Sequence, residues 1–354
     1  MRLLIDPDPP YLRWCRDSAR GFKTGRGLPG GEWLRDAGRG RELARATSIC
    51  HRLHHGGEYF HRPVTRATPK ALAELRQAAR HLPEHNKLNC EALRRTLELA
   101  PEVPQFILCE TALFIDLPAP ASSYAVPAEL AGRGVRRYGG SGLLHQWAWE
   151  RTRELCGEAA ARMVSVQLGD HPNLAALKHG RPVDTTIGFT PVEGLPSRTG
   201  CGDIDPSVVF ELRSSGMSLS EINELLSARS GFRALAGGPC GFLDLLEPAG
   251  VPGRAFVREV LVYDVVRQLG AFAAALGGVD ALAFSVPEPG PAAGLLMEVC
   301  AQLDFLGARC RPPVGGAEAE LISTDGPGVK VVVLKDDPWR VLSCRARAAE
   351  DKEG

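Results

Sequence analysis

The chain has 354 residues, 44% hydrophobic and 24% charged, an ordinary globular composition long enough for two cored domains. Lys and Arg together number 42, as do Asp and Glu, so a net charge of zero gives no electrostatic drive toward nucleic acid or an anionic membrane. Ten scattered cysteines without a CxxC pair argue against a disulfide frame or a cysteine zinc site, and point to reduced thiols in the cytoplasm.

In chain order, residues 1–5 read as a short strand stopped by Pro7, Pro9 and Pro10. This opening lacks the long apolar core of a signal peptide. Residues 21–40, rich in Gly and Arg, read as loop. His51, His54, His55 and His61 are spaced closely enough to bind zinc. With no HExxH and no cysteine pattern nearby, packing and hydrogen-bonding roles are the expectation. Residues 69–82 form a helix with Thr68 as N-cap and Pro69 at its first position. A second helix, 90–100, takes Asn89 as its cap, and a buried strand starts at Gln105.

Arg133, Arg136 and Arg137 form a basic cluster that reads as solvated surface. Residues 142–157 form an amphipathic helix. Two strands, 164–168 and 174–177, then flank the turn Gly169-Asp170-His171-Pro172-Asn173. A glycine-bearing turn between strands can offer N–H groups to a phosphate, but here an acid, an imidazole and a proline fill it. Ser218 and Glu221 make a capping box. Residues 254–278 form one long central helix, and 280–286 and 329–335 are strands. The stretch 269–284 is too short and too interrupted to span a bilayer. No internal repeat appears, and alternating strands and helices predict an α/β fold.

Five segments, taken in order, carry a resemblance: HRLHHGGE (51–58), GVRRYGGSG (134–142), VSVQLGDHPNLAALKHGRPVDTTIGFTPVEGL (164–195), CGDIDP (201–206) and SGFRALAGG (230–238). Over nearly the whole chain the sequence resembles the acetate kinases, or acetokinases. The resemblance implies two duplicated actin-like, ribonuclease-H-like domains with a cleft between them. Domain I would be 1–113 plus 339–354, shortened between Arg13 and His51, and domain II 114–338. It implies transfer of the γ-phosphoryl of ATP to acetate or another short carboxylate, with magnesium, in a cytoplasmic homodimer.

Carried over position by position, the resemblance assigns catalytic roles to Arg52, His85, Glu110 and Arg198. Arg13, Gly169, Asp170 and His171 fall on nucleotide-binding segments, and Asp6 and Asp337 on the metal side. Glu110 stands where the family has Asp, and Arg198 two residues before Gly200, which occupies the place of a family arginine.

Other positions depart from the pattern. Ser141 and Gln167 replace histidines, and Asp170-His171 replaces Asn-Gly. DPDPPYLR (6–13) replaces NAGSSSLK, VPEPGP (286–291) replaces GGIGEN, and Pro338 replaces the terminal glutamate. In-line phosphoryl transfer needs fixed cations and N–H donors around the transferred group. These departures remove several, which implies phosphoryl transfer that is weak or lost. The competing expectation is an inactive paralogue that keeps the fold for binding or assembly. A small-molecule sensor is the third.

Gly188, Pro191 and Gly194 read as turn formers, and Asp203 and Asp205 as caps of the following helix.

Overall fold

The computed structural model describes residues 1–352 apart from 29–42, 44–45, 248–249 and 325–327. The chain forms two compact units. One comprises Met1–Ile115, Val126–Leu144 and Asp337–Gly354, and the other Asp116–Ala125 and His145–Asp336.

The first unit is built on a six-stranded sheet. Its strands are β1 (Arg2–Asp8), β2 (Tyr11–Ser18), β3 (Gly21–Gly27), β4 (Ser48–Leu53), β5 (Val64–Arg66) and β6 (Gln105–Cys109), in the order β3-β2-β1-β4-β6-β5. β1, β4 and β6 run parallel, and the other pairs are antiparallel. Leu3, Leu4 and Ile5 on β1 and Ile49, Cys50 and Leu53 on β4 are buried, as expected of central parallel strands.

Two sequence expectations change here. β1 runs through Pro7 to Asp8 and turns into the β2–β3 meander, and residues 21–27 are strand rather than loop. Residues 29–40 of that expected loop lie outside the described residues. β3 is exposed along most of its length, so no hydrophobic alternation marked it. It holds its place by backbone pairing to β2 and by Gly25, where a Cβ would collide with the Trp14 ring.

Helix α1 (Pro69–Ala78) starts as expected, with Thr68 Oγ1 accepting the Ala71 N–H at 3.1 Å. Helix α2 runs Pro83–Leu99, seven residues earlier than expected, and Asn89 lies inside it rather than at its cap. Asn86, Asn89, Leu93 and Thr96 share its buried stripe.

Helix α3 (Gly142–Cys156) leads to the second sheet: β7 (Arg162–Gln167), β8 (Asn173–Lys178), β9 (Arg181–Thr185), β10 (Ala281–Val286), β11 (Ala319–Leu321) and β12 (Lys330–Lys335). Their order is β11-β12-β10-β7-β8-β9. β7, β10 and β12 are parallel, and β7–β8–β9 is an antiparallel meander. This repeats the first unit's plan: a meander leading into parallel strands. The duplicated actin-like architecture is therefore present, although no sequence repeat betrays it.

Between the meander and β10 come α4 (Ser207–Ser214), α5 (Leu219–Ala228) and α6 (Pro252–Leu276). The Ser218–Glu221 capping box forms, and α6 ends at Gly277 in the left-handed region, φ 69°. Val164, Val166, Leu282 and Phe284 pack with Val257, Leu261, Val265 and Leu269 of α6 in one core. Helix α7 (Ala293–Ala301) adds Leu295, Leu296 and Val299 to it. Helix α8 (Pro338–Glu350) packs on β1, β4 and β6 in the first unit.

Residues 126–144, expected in the second domain, fold with the first unit. The reason is local: the Gly142 N–H donates to the Glu110 carbonyl at 3.0 Å, and the Tyr138 ring packs 4.7 Å from His55.

Candidate functional site

In open α/β sheets, ligand chemistry gathers outside the carboxyl ends of the parallel strands. In the first unit those ends carry Asp6, Arg52 and Glu110. The β1–β4 register closes at Ile5 opposite His51, and β4–β6 at Leu53 opposite Cys109. Asp6, Arg52 and Glu110, distant in sequence, are therefore neighbours.

All three side chains are buried. The Arg52 Nε donates to Glu110 Oε1 at 2.6 Å, and its Nη1 reaches Asp6 Oδ2 at 3.4 Å. Glu110 Oε2 accepts the Leu143 N–H at 2.9 Å, in the first turn of α3, where the helix dipole favours negative charge. Asp6 is also paired to Arg13 and accepts from His54 Nε2 at 2.9 Å. Burial alone would raise the Asp6 pKa, but Arg52, His54 and Arg13 outweigh it and hold the carboxyl well below the usual range.

Backbone atoms of this cluster are fixed from α2. The Asn89 Nδ2 donates to the Arg52 carbonyl at 2.9 Å, and the Asn86 Nδ2 to the His55 carbonyl at 2.8 Å. Sequence reasoning missed both asparagines, as well as His54 as a partner of Asp6. The signal was the helical stripe 86, 89, 93, 96, which places polar residues on a buried face. His85 lies beside this cluster, its ring 4.9 Å from that of His54. His55 and His81 stack at 4.9 Å with Tyr138 tilted over both. The close histidines pack and hydrogen-bond, His51 to Thr96 Oγ1 at 3.1 Å and His61 to the Glu58 carbonyl at 2.7 Å, and among the described residues no three His, Cys, Asp or Glu side chains are grouped to hold a metal ion.

In the second unit, the turn after β7 is held by a buried histidine. His145 bonds Ser165 Oγ and Asn173 Oδ1, both at 2.8 Å, and the Asn173 Nδ2 donates to the His171 carbonyl at 3.0 Å. Asp170 faces Arg198: the carboxylate lies 3.3 Å from Nη1, and the Arg198 N–H donates to the Asp170 carbonyl at 2.7 Å. The other Asp170 oxygen accepts the Phe242 N–H at 2.8 Å. Asp170, Arg198, Arg233 and residues 239–244 line a cavity of about 510 Å³. Sequence reasoning gave neither Arg233, although it lies in the 230–238 motif, nor the 239–244 segment a role at this site. At the carboxyl ends of β7 and β10, Gln167 Nε2 and Ser285 Oγ are buried without a hydrogen-bond partner among the described residues.

The Acetokinase family profile matches residues 33–341. The chain belongs to the acetokinase family. Acetate kinase of Bacteroides fragilis is 34% identical over 323 residues, 88% of this chain and 80% of that one. Acetate kinase of Rhodopseudomonas palustris is 35% identical over 290 residues, 81% of this chain and 72% of that one. The fold agrees with crystal structures of two acetate kinases. The Porphyromonas gingivalis enzyme is 24% identical, with a TM-score of 0.84 and 98% of each chain covered. The Entamoeba histolytica enzyme is 17% identical, with a TM-score of 0.86 and 98% of each chain covered.

Several acetokinase motif residues have structural reasons in this chain. The Gly56 N–H donates to Thr111 Oγ1 at 2.9 Å, and a Cβ there would crowd Cys109 and Phe60. At Gly142 a Cβ would strike the Glu110 carbonyl. At Gly188 it would strike the Glu193 carboxylate and the Tyr124 hydroxyl, which bond each other. Asp203 departs from the expected helix cap: its Oδ1 accepts the Gly194 N–H at 2.8 Å and closes the loop. Asp205 does serve the helix start, accepting the Ser207 N–H at 2.7 Å.

Magnesium demands several unencumbered oxygens in near-octahedral array. Asp6 is engaged by Arg13, Arg52 and His54, and Glu110 by Arg52 and the Leu143 N–H. Asp337 accepts the Arg340 N–H at 3.1 Å as the cap of α8. This set does not fit a resident magnesium ion.

Proposed function

We propose that this acetokinase-family chain retains the scaffold for ATP and a short carboxylate, while its phosphoryl transfer to an acyl phosphate is weak or lost. One observation carries the reading: Arg52 is committed on two sides, to Glu110 at 2.6 Å and Asp6 at 3.4 Å. A guanidinium clamps a carboxylate or a transferring phosphoryl group only through N–H groups that point outward. The charges of Asp6, Glu110, Arg13 and Arg52 also cancel, so this cluster adds no fixed positive field where charge develops in transfer.

His85, beside His54, would orient the substrate, and Arg198 with Gly169, Asp170 and His171 would face the nucleotide. Magnesium would arrive with ATP as part of the substrate. The scattered free thiols support a cytoplasmic setting. Exposed Phe256 and Tyr263, seven residues apart on α6, support a homodimer.

A hydroxamate assay with ATP, magnesium and acetate or propionate tests the proposal. Rapid acyl hydroxamate formation by the unaltered chain would sink it. A second reading, an inactive paralogue kept for binding or assembly, draws support from Pro7, Pro9 and Pro10, which supply no N–H donor in the β1–β2 hairpin. That reading expects no thermal shift with Mg-ATP.

A further inference from the structure

Building on the acetokinase reading above, we propose that Asp170 is a built-in counter-anion that sets the charge of the ligand admitted to the second unit's cavity. Its carboxylate lines the cavity and serves a different donor with each oxygen. Oδ1 accepts the Phe242 N–H at 2.8 Å, and Oδ2 pairs with Arg198 Nη1 at 3.3 Å. The Asp170 carbonyl also takes the Arg198 N–H, so Arg198 is tied to this residue by side chain and backbone. Next along the wall, the Gly241 N–H donates to Asp244 Oδ2 at 2.9 Å, and Asp244 pairs with Arg254 at 2.9 Å.

A polyphosphate seat needs backbone N–H groups and cations directed at the ligand. Here two consecutive amides and one arginine are already satisfied by the protein's own carboxylates. Arg233 is the lining cation with no side-chain partner among the described residues. The lining charges, Asp170 and Asp244 against Arg198 and Arg233, sum to zero. A ligand with two or more negative charges finds no net positive charge at this wall and meets the Asp170 carboxylate. A neutral or singly charged ligand needs none, and Arg233 matches one anionic group. The Asp170 side chain is partly exposed, so solvent moderates the repulsion without cancelling it.

Isothermal titration calorimetry of the full chain with pyrophosphate, at fixed ionic strength and neutral pH, tests this. D170N is expected to bind pyrophosphate about ten-fold more tightly than the unaltered chain. D170S, whose shorter side chain removes the carboxylate and adds no donor amide, is expected to gain similarly. Circular dichroism and melting curves check that each variant is folded. R233Q is expected to weaken what anion binding the variants show. No gain in folded D170S, or tight pyrophosphate binding by the unaltered chain, overturns the proposal. If the unaltered chain makes acyl hydroxamate from ATP while D170S still gains pyrophosphate, the functional reading falls and the role of Asp170 stands. If neither occurs, the role of Asp170 falls and the functional reading stands.

Discussion

Arg52 and Glu110 face each other at the carboxyl ends of two adjacent parallel strands, the Arg52 Nε donating to Glu110 Oε1 at 2.6 Å. Both side chains are buried, so neither charge has water to fall back on. E110A strands the guanidinium and is expected to destabilise the first unit by about 3–5 kcal/mol. E110Q keeps one acceptor oxygen, for Arg52 Nε or for the Leu143 N–H but not for both, and should cost less than E110A. Urea unfolding of both variants checks the difference, and equal losses would mean that the hydrogen bond kept by glutamine contributes nothing and the lost charge accounts for the whole cost.

Asn89 has the complementary task of fixing the backbone of Arg52. Asn89→Leu fills the same space but leaves the Arg52 carbonyl without its donor, for an expected loss of about 1–3 kcal/mol. Hydrogen exchange of the amides around residues 52–55 should quicken in this variant. Unchanged protection there would rule out the positioning role.

Acid should loosen both units. Burial pushes His51 and His145 down from 6.5 to about 4, offset only in part by neighbouring Gln105 and by the hydrogen bond of His145 to Asn173. Between those values the unfolded chain binds protons that the folded chain refuses, so stability falls as pH drops from 6.5 toward 4. Each histidine accounts for about 3 kcal/mol of that loss. Asp6, held below the usual carboxylate range with burial opposing and Arg52, His54 and Arg13 prevailing, extends the loss to still lower pH. Melting temperature against pH measures the slope, which His145→Gln should flatten. A level profile across this window would contradict the assignment.

Gly188→Ala should damage the second unit out of proportion to its size. The new Cβ runs into the Glu193 carboxylate and the Tyr124 hydroxyl, whose bond also receives the Phe189 N–H. A loss of about 1–3 kcal/mol is expected from overpacking. Thermal melting reads it, and a neutral result would show that the loop shifts freely.

Much of this protein was legible in its sequence because the signals are short-range. The Thr68 cap with Pro69, the 164–177 hairpin, the Ser218–Glu221 box and the 281–286 and 330–335 strands each rest on residues within one turn or one pleat. Motif order along the chain was enough to indicate the family, since those stretches carry glycines and acids that the fold needs locally. β3 escaped because an exposed strand needs backbone partners more than hydrophobic alternation. The start of α2 escaped because Asn89, a good cap by composition, is held in the helix interior by the strand it serves.

The sequence by itself determined most of the elements, the family and the identity of the charged residues. Only the tertiary structure decided how those charges are spent. Asp6 and Arg52 are 46 residues apart and Arg52 and Glu110 are 58 apart, yet parallel strand register makes them neighbours. Asp170 meets the Phe242 N–H across 72 residues for a similar reason: the fold returns the chain to that turn. Periodicity and capping act over a few residues, whereas an ion pair depends on which strands lie side by side, and that is settled by the packing of the whole unit.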